Sequence, residues 1–332
     1  MNFEPETLNR LAKRAAPIVV ITGPTGVGKS AVAFDLAEAL GGEIVNADSQ
    51  QVYCYLNIGT DKPSEQERSR VPHHVIDVVE PNETFNVAAY CDLAEKAIAH
   101  IQQRGRVAIV CGGTGLYIKA LTTGLFVGPS QEESLRESFE SDIKIHGIDF
   151  LYHRLERSDP AAASWIHPHD RQRIIRALEV YELTGKPMSE WHREHGFNDR
   201  RYETLAIALD RRRAELYELI NRRCERMIGD GLLQEVANLV ERGYGLHLKP
   251  LRSVGYRHMG LVYNHEKSLE DALDLMKRDT RHLAKRQLTW FRRQNEIRWF
   301  HPDDRSRIFE IAEKFFAQAN VSSARMIAFK QT

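Results

Sequence analysis

Residues 23 to 30 read Gly23, Pro24, Thr25, Gly26, Val27, Gly28, Lys29 and Ser30, a run suited to holding phosphate. Anionic oxygens need several donors at once, and closely spaced glycines let consecutive backbone N–H groups turn toward one ligand. Lys29 adds a cation for bridging or terminal phosphate oxygens, and Ser30 offers a hydroxyl to Mg2+. A helix beginning there points its positive dipole end at the ligand. Downstream, Asn46-Ala47-Asp48-Ser49-Gln50 supplies a carboxylate, and Thr114 follows two glycines in Gly112-Gly113-Thr114-Gly115. A phosphate cradle facing a carboxylate is the beginning of a group-transfer site.

These residues need elements to carry them. Ile18-Val19-Val20-Ile21 is a short β-branched run that reads as a buried parallel strand, and residues 31 to 40 carry apolar side chains at helical spacing before Gly41-Gly42. Residues 43 to 47 read as a second strand and Val75 to Val79 as a third. An amphipathic helix from Asn86 to Arg104 precedes a strand from Val107 to Cys111. Such alternation predicts an α/β fold, a P-loop parallel sheet flanked by helices, with ligands gathered at the carboxyl ends of the strands. The phosphate loop, Asp48 and Thr114 all fall at such ends.

After Gly124 the pattern becomes helical. Ser130 and Glu133 offer a capping box, and breaks fall at Gly147, Pro160, Pro168 and Gly185-Lys186-Pro187. This predicts a helical insertion domain over residues 126–200, with residues 1–125 and 201–332 forming the P-loop core. Tyr202 to Leu209 reads as a returning strand, Asp210 as a helix cap, residues 215 to 242 as a long helix weak near Gly229-Asp230-Gly231, and residues 279 to 294 as the last, basic helix.

The 332 residues suit two domains, and 46 basic residues balance 46 acidic ones. Zero net charge argues against a protein coated in nucleic acid, yet basic residues cluster at 211–213, 222–223 and 278–298, a pattern compatible with a site for a phosphate backbone and also common on solvated helix faces. No apolar stretch reaches the ~18 residues that span a bilayer, and no basic-then-apolar leader opens the chain. A cytoplasmic protein, monomeric and away from membranes, is the expectation. Cys54, Cys91, Cys111 and Cys224 are scattered and suggest neither a zinc knuckle nor a redox pair. The pairs His73-His74, His167-x-His169 and His192-x-x-His195 lack the flanking pattern of a metal site.

The ordinary work of a phosphate loop is nucleotide hydrolysis or phosphoryl transfer. Against it, the strand 107–111 ends in Gly-Gly-Thr rather than in the acidic residue that many such enzymes place near Mg2+. Asp48 could act as base in a small-molecule kinase, or the loop could hold a diphosphate that leaves. A non-catalytic RNA-binding protein is a third possibility. The motifs alone leave these open.

Further blocks occur in order along the chain: Asp48-Ser-Gln-Gln-Val-Tyr53, Ile58-Gly-Thr-Asp-Lys-Pro63, Pro72-His-His-Val-Ile-Asp77, Gly112-Gly-Thr-Gly-Leu-Tyr117, Arg173 to Glu179, and Arg252-Ser-Val-Gly-Tyr-Arg257. With the phosphate loop, they make the chain resemble the bacterial tRNA dimethylallyltransferases over nearly its whole length. Members of that family attach a dimethylallyl group to N6 of adenosine 37, beside the anticodon. Gly26 stands where the family often has alanine, and Gln50 where an apolar residue is common. The resemblance implies Asp48 as general base, with Lys29 and Thr114 completing the catalytic set. It implies the loop from Gly23 to Ser30, with Mg2+ at Ser30, as holder of the diphosphate of dimethylallyl diphosphate. For tRNA it implies Asp48, Ser49, Gln50, Gln51 and Thr114 at the target base. On the insertion it implies Arg136, Gln172, Arg173, Ile174, Ile175 and Arg176, and in the core Arg252, Ser253, Val254, Gly255, Tyr256 and Arg257.

Overall fold

The computed structural model describes residues 17–124, 128–129, 132–195 and 201–330. Two compact units divide the chain, one formed by residues 1–122 with 201–332 and the other by residues 123–200.

In the first unit the run starting at Ile18 has no polar face, so it is stable only when covered on both sides. It forms β1 (Ile18–Thr22), with every residue buried. The glycine-rich loop leads into α1 (Lys29–Leu40), which buries Val32, Ala33, Leu36 and Ala37 and ends at Gly41 in the left-handed conformation. There follow β2 (Glu43–Asn46), α2 (Glu65–Arg70), β3 (His73–His74) and α3 (Val87–Gln103). The Asn86 side chain caps α3 by accepting the Ala88 and Ala89 N–H groups. Next come β4 (Ala108–Cys111) and α4 (Gly115–Thr123).

The second unit is helical: α5 (Glu133–His146), α6 (Ile148–Ser158), α7 (Pro160–Trp165), α8 (Arg171–Thr184) and α9 (Met188–His195). Its core gathers Phe139, Leu151, Leu155, Ile166, Ile174, Ile175 and Leu178. Pro160 opens α7, where a missing N–H costs nothing. The buried Asp159 carboxylate accepts from Ala162 N–H and from Ser189 N–H, each at 2.9 Å, so one acid ties two helix starts.

The first unit resumes with β5 (Thr204–Leu209), α10 (Arg213–Gly229), α11 (Leu232–Glu241), α12 (Tyr256–Tyr263), α13 (Leu269–Phe291), β6 (Arg298–Phe300) and α14 (Arg305–Lys330). Its strands make a six-stranded sheet in the order β3-β2-β4-β1-β5-β6. Every pairing is parallel, with Val20 opposite Val110 on one side and Ala206 on the other. This is the α/β architecture the alternating pattern predicts. Among the described residues no helix is long and apolar enough to cross a membrane.

Several local expectations are corrected. The third strand is His73–His74, not Val75 to Val79, because Val75 and Asp77 take φ of 61° and 54° and turn the chain away. The Asp77 carboxylate is held there by Lys62 at 2.5 Å and Arg68 at 2.8 Å. Asp210 caps no helix: α10 starts at Arg213, and Asp210 instead pairs with Arg292 at 3.0 Å. The long helix expected over 215 to 242 is two, divided where Gly231 adopts φ 98°. The basic helix expected over 279 to 294 is the latter part of α13, which runs from Leu269 to Phe291 and is followed by β6 and α14, so it is not last. Ser130 of the expected capping box lies outside the described residues, and Glu132 occupies the position before α5.

Candidate active site

The carboxyl ends of β1, β2 and β4 open into a cavity of about 630 Å3. On its β1 side the loop turns through positive φ at Gly23, Gly26 and Gly28 before α1 begins, which aims the helix start at the cavity. Val27 is fully buried and anchors the loop. Thr25, Gly26, Gly28, Lys29 and Ser30 line the opening. Lys29 donates from Nζ to the Pro24 carbonyl at 2.7 Å. Burial pushes this lysine down to about 8, Arg223 adds to the effect, and Cys111, Asp48 and Asp61 oppose it. A basic group half-neutral at mild alkalinity is poised to gain charge when an anion arrives.

Asp48, two residues beyond β2, lines the same cavity. Its Oδ1 accepts the Gln50 N–H at 2.8 Å, and its own N–H donates to Asn46 Oδ1 at 3.2 Å. Asn46 in turn donates to the Val75 carbonyl at 3.0 Å. The turn after β4 braces this loop. Thr114 Oγ1 accepts the Ser49 N–H at 3.0 Å, and the Thr114 N–H donates to the Ala47 carbonyl at 3.1 Å. Such closeness demands glycine at 112, where a Cβ would lie 2.2 Å from the Ala47 oxygen. Thr114 therefore stands behind Asp48 as a support. Cys111, pushed up to about 11 by burial, remains a thiol in the wall.

The cavity thus joins Asp48 and Gln51 with the phosphate loop and Gly112. Gln51 donates from Nε2 to the carbonyls of Thr60 and Asp61 at 3.0 and 3.1 Å, which ties the second motif block to the first. Within the loop, Thr25 is not a simple phosphate donor. Its N–H is given to Gln287 Oε1 at 2.8 Å, and its hydroxyl accepts from Arg223 at 3.0 Å. Pro24 has no N–H to offer and serves Lys29 through its carbonyl.

Arg223 and Arg226 from α10, Asp61 and Gln287 are among the cavity groups to which the sequence assigned no site role. Arg226 pairs with Asp61 at 2.7 Å, and Arg223 approaches it at 3.5 Å. The Arg222-Arg223 cluster carried the signal for two of them, since Arg226 lies on the same helix face one turn later. Gln287, inside a basic segment, gave none.

Of the Arg252 to Arg257 block, Tyr256 is fully buried and its hydroxyl donates to Glu235 at 2.5 Å. It packs under Gly59, where a Cβ would sit 2.4 Å from the ring. Its side chain supports the 57–61 loop and is unavailable to a partner. Gly255 is also buried, whereas Arg252 and Arg257 are exposed and Ser253 and Val254 are half-buried. Arg257 pairs with Asp279 at 2.5 Å.

In the helical unit, Arg136 and Arg176 converge on Glu179, which is fully buried. Arg136 makes a two-pronged pair at 2.7 and 3.0 Å, and Arg176 donates at 2.6 Å to the same carboxylate and at 2.8 Å to the Pro129 carbonyl. Glu132 N–H adds a bond at 3.0 Å. Burial alone would raise the Glu179 carboxyl, but the two arginines hold it below its usual range. Both arginines are thereby committed to the fold. Ile174 and Ile175 are core residues, so their side chains cannot meet a partner, and Gln172 and Arg173 are the exposed members of that run.

The pairs His73-His74 and His167-x-His169 are spent locally. His74 bonds Glu43 at 2.6 Å, His73 bonds the Val71 carbonyl at 2.7 Å, and His167 Nδ1 accepts the His169 N–H at 3.1 Å. Among the described residues no three His, Cys, Asp or Glu side chains cluster as a metal site. The exposed Ser30 hydroxyl in the cavity lining fits a Mg2+ that takes its other ligands from phosphate oxygens and water.

Residues 51–294 match the family model described as IPP transferase. The chain is 49% identical over 303 residues to the tRNA dimethylallyltransferase of Syntrophobacter fumaroxidans, covering 90% of this chain and 88% of that one. It is 50% identical over 282 residues to tRNA dimethylallyltransferase 1 of Citrifermentans bemidjiense, covering 85% and 91%. The crystal structure of a full-length tRNA isopentenylpyrophosphate transferase from Bacillus halodurans superposes with a TM-score of 0.69 at 35% identity, over 94% of this chain and all of that one. A eukaryotic dimethylallyltransferase, described as acting on tRNA, gives a TM-score of 0.75 at 30% identity, over 87% and 74%. A phosphate loop facing a braced carboxylate across one cavity, in a chain matched at this level over most of its length, identifies a member of the IPP transferase family.

Proposed function

We propose that the chain transfers a dimethylallyl group from dimethylallyl diphosphate to N6 of adenosine 37 in tRNA, in the cytoplasm and as a monomer. The observation that carries this reading is the shared cavity of the phosphate loop and Asp48. The relatives' names support its substrates.

In this reading the N–H groups of residues 26 to 30 and the Lys29 ammonium hold the diphosphate, with the α1 dipole behind them. Ser30 would hold Mg2+, which when bound neutralises part of the diphosphate charge. The adenine is turned out of the stacked anticodon loop to reach Asp48, as chemistry on a base requires. The N6 lone pair forms a bond to the allylic carbon while the carbon–oxygen bond breaks and its electron pair passes to the diphosphate. The N6 proton goes to the Asp48 carboxylate. An exocyclic amine is a poor nucleophile, so proton removal and a stabilised leaving anion are the two contributions the site must make. Thr114 and Asn46 keep the Asp48 loop in place. Gln51, Arg252, Arg257 and, in the helical unit, Gln172 and Arg173 are the RNA-facing groups.

The test is incubation with labelled dimethylallyl diphosphate and unmodified tRNA. Label on adenosine 37 is expected, and Asp48→Asn is expected to lower kcat roughly 100-fold or more with tRNA affinity kept. Absence of label there, or ATP-dependent phosphorylation of a small acceptor instead, would refute the proposal.

A further inference from the structure

Gln287 belongs to α13, far in sequence from either half of the site, yet it lines the cavity. Its amide is engaged at both branches. Oε1 accepts the Thr25 N–H at 2.8 Å, and Nε2 donates to the Gly113 carbonyl at 3.0 Å. The first partner lies in the diphosphate cradle. The second precedes Thr114, whose hydroxyl takes the Ser49 N–H and whose own N–H donates to the Ala47 carbonyl. Asp48 sits between Ala47 and Ser49. One side chain therefore spans the cradle and the turn that braces the base. The docking is close: a Cβ on Gly113 would approach Gln287 Nε2 to 2.4 Å, and one on Gly115 would approach Trp290 Nε1, on the same helix, to 2.1 Å.

We propose that Gln287 is a positioning residue that sets the separation between the diphosphate cradle and the Asp48-bearing loop, a role that rests on the prenyl-transfer reading above. The chemistry explains the residue type. A primary amide presents one acceptor and one donor on a planar fork; methionine presents neither, and asparagine is a methylene too short to reach both partners. The leaving oxygen is held on one side of this span and the attacking nitrogen on the other, so its length sets the distance between reacting atoms. A displacement of about 1 Å costs on the order of 100-fold in rate. The Thr25 N–H, being committed to Gln287, acts as part of the frame and not as a phosphate donor.

The test compares wild type, Gln287→Met and Gln287→Asn by steady-state kinetics, by calorimetric binding of inorganic pyrophosphate, and by hydrogen exchange at the Thr25 amide. The Met variant is expected to lose roughly 10- to 100-fold in kcat, with KM for tRNA and pyrophosphate affinity within about threefold of wild type. Its Thr25 amide should exchange faster. The Asn variant, which keeps the polarity, is expected to show the same kcat loss, and it carries the comparison if the Met variant does not fold. Wild-type kcat in both variants, unchanged Thr25 protection, or pyrophosphate affinity falling in step with kcat would overturn the proposal. If the wild-type protein does not prenylate tRNA, the functional reading fails on its own, while the exchange and pyrophosphate measurements still decide whether Gln287 bridges the two loops.

Discussion

Replacing Lys29 by methionine is expected to abolish turnover and yet make the ligand-free protein more stable. Burial lowers this lysine from the ordinary 10.5 to about 8. Converted at 1.36 kcal/mol per pH unit, that is about 3 kcal/mol of disfavoured charging, present whenever the site is protonated and without ligand. The hydrogen bond to the Pro24 carbonyl returns about 1 kcal/mol, which the variant forfeits. A net gain of about 2 kcal/mol at pH 7 remains, or roughly 4–8 °C in Tm for a unit of this size. The sign reverses the usual intuition about removing a charge. Because the folded value lies below the unfolded one, the penalty is complete below pH 8. Between pH 8 and 10.5 the unfolded chain holds a proton that the folded one has released, so wild-type stability recovers with rising pH. Urea titrations of wild type and Lys29→Met at pH 7, 8.5 and 10, without ligand, measure the gap. A variant less stable than wild type at pH 7, or a gap that does not narrow toward pH 10, would refute the assignment of Lys29 as a charge held at a cost for an incoming anion.

Glu179→Ala should destabilise the helical unit by roughly 3–5 kcal/mol, since it leaves Arg136 and Arg176 facing a vacated buried site; urea unfolding followed by Trp191 fluorescence reports it. Gly112→Ala should cost about 1–3 kcal/mol in stability, because its Cβ would lie 2.2 Å from the Ala47 oxygen. By displacing the Asp48 loop it should also lower prenyl transfer on the order of 100-fold with pyrophosphate binding retained, which kinetics and calorimetry separate.

The parts of the fold that rest on neighbouring residues were legible in the sequence. The apolar run of β1, the glycine loop, the Gly41 stop and the helix opening at Asn86 each depend on a few consecutive side chains. What depends on distant partners was not. Val75 to Val79 has strand composition, but the ion pairs that Lys62 and Arg68 make with Asp77 hold it as a turn. Gln287 meets Thr25 from 262 residues away with nothing local to mark it, and Arg223, 198 residues away, is marked only by its place in an arginine cluster. Arg136 and Arg176 show the opposite failure. An exposed arginine awaiting RNA and one locked on an internal acid have the same local sequence, and only the packing that buries Glu179 separates them.

The 57–61 turn beside the cavity has a second consequence. Glu235 accepts the N–H groups of Asn57, Ile58 and Gly59 at 2.9 to 3.3 Å, together with the Tyr256 hydroxyl. Successive amides aimed at one point form a nest that attracts any anion. Here the nest is already stoppered by a carboxylate of the protein itself, a few residues before Asp61 and Lys62 enter the cavity wall. The 57–59 amides are thereby closed to any other anion. The protein closes this nest with its own charge.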